Sequence, residues 1–191
     1  MLKRYSIAQL VLVCLLCSLE ATASDSWVDE SNTHSAIVMN AQARFQPETF
    51  SALGIESADA DIFDLMPRLY QRSQQDTQRL VAVLEERKRS AEDPRVLQDL
   101  DILIQSLHDQ YHTTELNQQY LLPYFNLSQT LYFGFQSLLD PRNDPARFPA
   151  ALERLRKYTG QAKGTRPITE LARERSSERF DQPGLLGPFR G

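Results

Sequence analysis

Cysteine is scarce in this sequence: Cys14 and Cys17 are the only two among 191 residues. Both lie in MLKRYSIAQLVLVCLLCSLEATA, the stretch from Met1 to Ala23, which reads as a secretory signal. Lys3 and Arg4 form a short positive start, Ile7 to Leu19 is a mostly apolar run, and Ala21-Thr22-Ala23 has the small-x-small pattern a signal peptidase accepts. Cleavage between Ala23 and Ser24 then leaves a mature chain with no cysteine, which excludes disulfides and cysteine metal ligands. Such a chain suits the periplasm, stabilised by its core alone. Lipoprotein processing is the weaker reading, because Val13 and Leu16 occupy the places before the two cysteines where a small residue belongs.

Long hydrophobic runs are missing too. The stretch from Ile7 to Leu19 falls well short of the roughly 20 residues of a membrane-spanning helix, so no stable membrane anchor is expected. Charge of one sign is not concentrated anywhere. Without Lys3, Arg4 and Glu20 the chain carries 19 basic and 24 acidic residues, a net −5, with the signs interspersed. No basic tract exists, so nucleic-acid binding has no electrostatic support. Glycine (7) and proline (10) are few and fall between periodic segments, as punctuation does in a helical protein. Alternating strand patterns are absent.

What remains is helical periodicity over 168 mature residues, the full 191 less the first 23. That suffices for one ordinary domain and also suits a piece of something larger. A first helix is expected from Trp27 to Phe45, then a short turn of helix from Pro47 to Leu53 stopped by Gly54. Asp59 to Asp64 looks like the entry to the next, with Pro67 in its first turn and Leu69, Leu80, Val83 and Leu84 as its stripe to Ser90. Asp93-Pro94 is an N-cap with proline at the first helical position. Val96, Leu100, Leu103, Ile104, Leu107 and Tyr111 follow at steps of three and four, and Pro123 ends the helix after Leu122. Helices are also expected from Leu127 to Leu139 (Leu127, Leu131, Phe135, Leu138), from Arg147 to Tyr158 (Phe148, Leu152, Leu155) with Gly160 as the stop, and from Pro167 to Phe180 (Ile168, Leu171, Ala172). Short connections make neighbours antiparallel. The fold class is an all-α array of mostly antiparallel helices over residues 24–182.

Complete catalytic sets are lacking. His108 and His112 stand four apart, and Glu115 shares their face as a third potential zinc ligand. In the zincin pattern H-E-x-x-H the glutamate polarises the metal-bound water; here Asp109 replaces it with a side chain about 1.5 Å shorter. The two histidines also sit roughly 80–120° from the apolar stripe by the 3.6-residue period, at the edge of the solvent face. A surface histidine pair is the better reading. His34 has no visible partner. Ser128, Thr130 and Ser137 lack a G-x-S-x-G turn, and Gly184 and Gly187 follow no strand, so no phosphate loop forms. Glu85-Glu86 and Glu92-Asp93 beside Arg87, Lys88 and Arg95 read as a solvated face. Asn126-Leu127-Ser128 is a glycosylation sequon, relevant only in a eukaryotic secretory pathway. The aromatic run Tyr120 to Phe125, with Tyr132, Phe133 and Phe135, reads as helix packing, or else as a cleft wall. Residues 183–191 form a glycine- and proline-broken tail whose Leu185, Leu186 and Phe189 have little local structure to bury them, so either more protein or a fold back onto the helices is expected to cover them.

Several segments carry a resemblance. FQPETFSALGI (Phe45 to Ile55), DPRVLQDLDILI (Asp93 to Ile104), ELNQQYLLPYFN (Glu115 to Asn126), LLDPRNDPARFPAALERLRKYTG (Leu138 to Gly160), PITELARERSSERF (Pro167 to Phe180) and PGLLGPFR (Pro183 to Arg190) resemble the bacterial proteins grouped as domain of unknown function 885. The resemblance spans nearly the whole mature chain. Family members are typically exported, helical, several times longer, and similar to zinc metallopeptidases of the gluzincin type, with their H-E-x-x-H motif far towards the C-terminus. It implies that this chain is the N-terminal helical scaffold of such a protein, catalytically incomplete without the C-terminal region. Zinc and a peptide-like substrate are then expected only for a full-length member. His108 and His112 do not align with the family's motif. A rival expectation is a stand-alone periplasmic helical binding or interaction module without enzymatic activity.

The signal reading predicts that N-terminal sequencing of the exported product begins at Ser24. Lipid on Cys14 or Cys17, seen by mass spectrometry, would overturn it.

Overall fold

A computed structural model describes residues 26–185; the expected leader and its cleavage site at Ala23-Ser24 lie outside them. The described chain is all-α. No strand forms among these residues, and one isolated bridge joins Thr159 and Pro167. The helices are α1 (26–43), α2 (Pro47–Ala52), α3 (Leu69–Ser90), α4 (Pro94–Tyr120), α5 (Leu127–Leu138), α6 (Pro149–Tyr158) and α7 (Ile168–Ser177), with 3-10 turns at Glu56–Ala58 and Pro145–Arg147. No helix among them is long and apolar enough to cross a membrane.

Local chemistry sets several ends as the sequence implies. The Asp93 carboxylate accepts the Arg95 N–H at 2.8 Å and Pro94 opens α4, which satisfies one of the orphan donors of the first turn. Asn126 caps α5 through the Gln129 N–H. Two helices close in the same way. After α2, Gly54 at φ +92° lets Ile55 N–H reach Phe50 O (2.9 Å) and Gly54 N–H reach Ser51 O (3.0 Å). After α6, Gly160 at φ +73° lets Gln161 N–H reach Arg156 O (2.8 Å) and Gly160 N–H reach Lys157 O (3.1 Å). Both are six-to-one and five-to-two closures that need a left-handed residue.

Two larger apolar clusters hold the array, with a small third one of Ala43, Phe50 and Ala58. Val38 of α1, Leu80 and Leu84 of α3 and Val96, Leu100, Ile104 and Leu107 of α4 form the first. Only three residues separate α3 from α4, so the two run antiparallel and face each other along their length. The Arg95 guanidinium lies 4.7 Å over the Trp27 ring and covers one end of this cluster. The second cluster gathers Leu65, Leu69, Tyr158, Ile168, Leu171 and Ala172, with Phe125, Leu127, Leu131 and Phe135 packed against it.

Three expectations need correction. α3 starts at Leu69 rather than around Asp59–Asp64. Ala58 O and Asp61 O are held instead by the Arg154 side chain, and Phe63 N–H by Glu48. Pro67 precedes the helix, and Arg68 takes a left-handed φ of +57°, a conformation costing a non-glycine residue roughly 1–2 kcal/mol. Arg72 closes this turn by donating to Pro67 O, Met66 O and the Asp64 carboxylate. Second, Val83 is exposed, and Leu103 and Tyr111 are only half-buried, so the α3 and α4 stripes are narrower than the apolar pattern suggests. Third, α6 turns its other side inward: Leu152 and Leu155 are 53% and 46% exposed, whereas Ala151, Arg154 and Tyr158 are buried. Leu185, in the tail, is buried at 8% exposure, one of the two readings the sequence leaves open.

Leu100 is fully buried while Ile102, on the same helix, is exposed. Leu100→Ala is expected to cost about 2–5 kcal/mol through lost transfer energy and the cavity it leaves. Ile102→Ala is expected to stay within about 1 kcal/mol. Urea denaturation of the two variants checks this; equal losses would mean that α4 is turned differently.

Candidate functional site

The most densely bonded place in the molecule is polar. Ala151, Arg154 and Tyr158 lie three and four residues apart, so they share the inner face of α6. Arg154 has 0% exposure. Its guanidinium donates Nε–H to Asp61 O at 3.0 Å, Nη1–H to Gly134 O at 2.9 Å and Nη2–H to Ala58 O at 2.9 Å. A buried cation is costly unless its donors are met, and here carbonyls from two separate stretches of chain meet them. One turn further on, the Tyr158 hydroxyl donates to Glu48 Oε1, which also accepts the Phe63 N–H at 2.9 Å. Burial, and then the Glu48 carboxylate beside it, push the Tyr158 phenol far above its ordinary value. It therefore stays protonated and keeps donating.

Gly134 is what lets α2 and α5 come this close. A Cβ on it would lie 2.9 Å from Glu48 Cγ and 3.4 Å from Arg154 Nη1. A second ion pair stands nearby. Arg147 reaches Asp59 with Nε to Oδ2 and Nη2 to Oδ1, both at 2.7 Å, and Nη2 also meets Ser51 O at 2.9 Å. Ser51 Oγ donates to Asp59 Oδ1 at 2.7 Å. Burial alone raises the Asp59 pKa, but the hydrogen bonds from Arg147 and Ser51 and the charges of Arg147 and Arg154 outweigh it. They hold the carboxyl below its ordinary value, so the pair stays charged at neutral pH.

Glu48 is also one wall of a cavity of about 570 Å³, shared with Phe63, Asn126, Phe133, Gly134 and Ser137. No nucleophile is prepared there. Thr130 Oγ1 donates to Asn126 O and Ser137 Oγ to Gly134 O, both within their own helix segment. Both donors to Glu48 converge on the one oxygen Oε1. The chemistry of this arrangement is that of a clamp: it ties α2, the 58–63 segment, α5 and α6 together.

No family model matches this chain, and neither does any curated protein or solved structure.

The histidine pair weighed in the sequence as a metal alternative, and set aside as a surface pair, lies elsewhere. His108, His112 and Glu115 are all exposed on α4. His112 Nδ1 stands 3.7 Å from Glu115 Oε2, and Asp109 accepts a hydrogen bond from Gln105 at 2.8 Å. Among the described residues no group of three or more His, Cys, Asp or Glu side chains is placed to hold a metal ion. A catalytic zinc needs three ligands in a walled site with an open water position, and this open helix edge does not fit that requirement. His34 is buried, with Glu30 at 3.8 Å. The aromatic run divides: Phe125 and Phe135 pack on the second apolar cluster, whereas Tyr120, Tyr124, Tyr132 and Phe133 are exposed.

Sequence reasoning missed Arg154, Glu48, Arg147 and Asp59. The one available signal was Arg154 between Ala151 and Tyr158 at helical spacing, which an apolar pattern search treats as a polar face.

Arg154→Met removes three hydrogen bonds to backbone carbonyls and is expected to destabilise the protein by roughly 2–4 kcal/mol. Arg142→Met, at an exposed pair with Asp140, is expected to change stability by under about 0.5 kcal/mol. Thermal melts of both variants decide this, and a parent-like melt for Arg154→Met would show that the clamp contributes nothing.

Proposed function

We propose that this chain is a helical scaffold without a catalytic centre of its own: the N-terminal region of an exported protein similar to the gluzincin-type zinc metallopeptidases. The observation that carries the reading is the split between its two kinds of surface. The buried charged residues Glu48, Asp59 and Arg154 are bound up in holding helices together. Outside, α5 and the turn after it present an open groove lined by Leu131, Tyr132, Phe135, Leu139 and Pro141. Tyr132 and Leu139 are exposed there, and Tyr132 stacks edge-on against the exposed Phe133 at 5.3 Å. A contiguous apolar surface of this kind marks a place where more protein sits. In the scaffold reading the occupant is the C-terminal catalytic region, which supplies the zinc and the peptide-like substrate site. The segments that resemble domain of unknown function 885 support the same assignment.

Two measurements test it. The purified chain, dialysed and then assayed with and without added zinc, should retain no stoichiometric metal and hydrolyse no peptide. Stoichiometric zinc with turnover that disappears in His108→Ala would defeat the reading. Sequencing the gene past the codon for Gly191 separates scaffold from stand-alone module. An H-E-x-x-H motif downstream, in or out of frame, supports the scaffold; its absence supports a separate binding module.

A further inference from the structure

A second cavity, of about 380 Å³, lies between the start of α3, the end of α4 and the end of α7. It takes no part in the clamp. Its polar side is built from Arg68, Arg175, Arg179, Gln118 and Glu178, and its apolar side from Leu69, Pro123 and Phe125. Three guanidiniums stand against the Glu178 carboxylate of the lining and that of Glu174, 3.6 Å from Arg175 Nη2, which leaves the site an excess of one positive charge.

Arg179 already donates to Gln182 Oε1 at 2.9 Å and to Leu121 O at 3.5 Å, but other donors in the cavity are not used up. Gln118 Nε2 and Arg175 Nε and Nη1 are buried and have no hydrogen-bond partner among the described residues. Arg175 Nη1 does lie 2.8 Å from Glu178 Oε1, an ion contact without hydrogen-bond alignment. Arg68 forms no ion pair among the described residues and is the one non-glycine residue there with a positive φ. Buried donors left unmet are costly, and such outliers concentrate where structure serves a ligand. No side chain caps α3 at this point and its first turn holds no acidic residue, so the positive end of the helix dipole also faces the region.

We propose that this cavity binds a small organic carboxylate, its two oxygens accepting from the Arg175 and Gln118 nitrogens within reach of Arg68, and its apolar body resting on Leu69, Pro123 and Phe125. A carboxylate suits the site because it accepts at both oxygens and donates nothing, and guanidinium forks match it. The cavity has room for a body of several carbons besides the charged group. The apolar wall separates this ligand from inorganic phosphate, which has nothing to place there. The proposal stands independently of the scaffold reading.

The test is calorimetric titration of the full chain with N-acetylphenylalanine, its uncharged amide and inorganic phosphate, together with the variants Arg68→Gly and Arg175→Met. The carboxylate should bind one to one, with the amide and phosphate each at least about tenfold weaker. Arg68→Gly keeps the left-handed backbone that glycine adopts freely, so it should weaken carboxylate binding about tenfold with no fall in melting temperature. Arg175→Met should abolish binding. No heat up to about millimolar carboxylate, equal binding of the amide or phosphate, or undiminished binding in Arg68→Gly would each overturn the assignment.

Discussion

One buried guanidinium organises the middle of this molecule. Arg154 has no exposure and no carboxylate within ion-pair distance among the described residues; three backbone carbonyls meet its donors. Two of those carbonyls belong to the irregular stretch between α2 and α3, and the third to α5. A planar fork with fixed donor directions can hold three segments in one geometry. A lysine ammonium, a compact charge on a flexible stem, lacks that preorganised spread. The consequence runs outward. Residues 58–63 are held by Arg154, Arg147 and Glu48 in a course that is not α-helical, and α3 begins after them.

The same constraint explains why α6 turns its leucines outward. By the 3.6-residue period Leu152 lies about 120° round from the face of Ala151, Arg154 and Tyr158, and Leu155 falls at its edge. Burying a leucine side chain is worth about 1.5–3 kcal/mol. Three charge-assisted hydrogen bonds at about 1.5–3 kcal/mol each, with the Tyr158–Glu48 bond added, are of equal or greater weight. The arginine face wins and the leucine face meets solvent. Gly134 completes the arrangement, since any side chain there would collide with Glu48.

Much of the helical framework was legible in advance. Asp93-Pro94 marks the start of α4, Gly54 and Gly160 mark left-handed stops, and Ile168, Leu171 and Ala172 anchor α7. These are local events, decided by a cap, a missing Cβ or a missing N–H within one turn of helix. The histidine pair was legible too: its angle to the Leu100 and Leu107 stripe implied the solvent edge, and both side chains are exposed. What misled was apolar pattern used as a measure of burial. Val83 and Leu155 continue their stripes in sequence yet reach solvent, and Leu185 is buried from a tail with no periodicity at all.

By itself the sequence determined the all-α class, most of the helix boundaries and the antiparallel pairing of α3 with α4, because each depends on neighbours within a few residues. Tertiary structure alone decided which face of α6 is inside, where α3 begins and which charges are buried. Those outcomes turn on donors and acceptors meeting across separations of 20 to 110 residues: Arg154 with Gly134, Arg147 with Asp59, Tyr158 with Glu48. A hydrogen bond of that kind leaves no period in the sequence, since its partners are brought together only by the fold they help to hold.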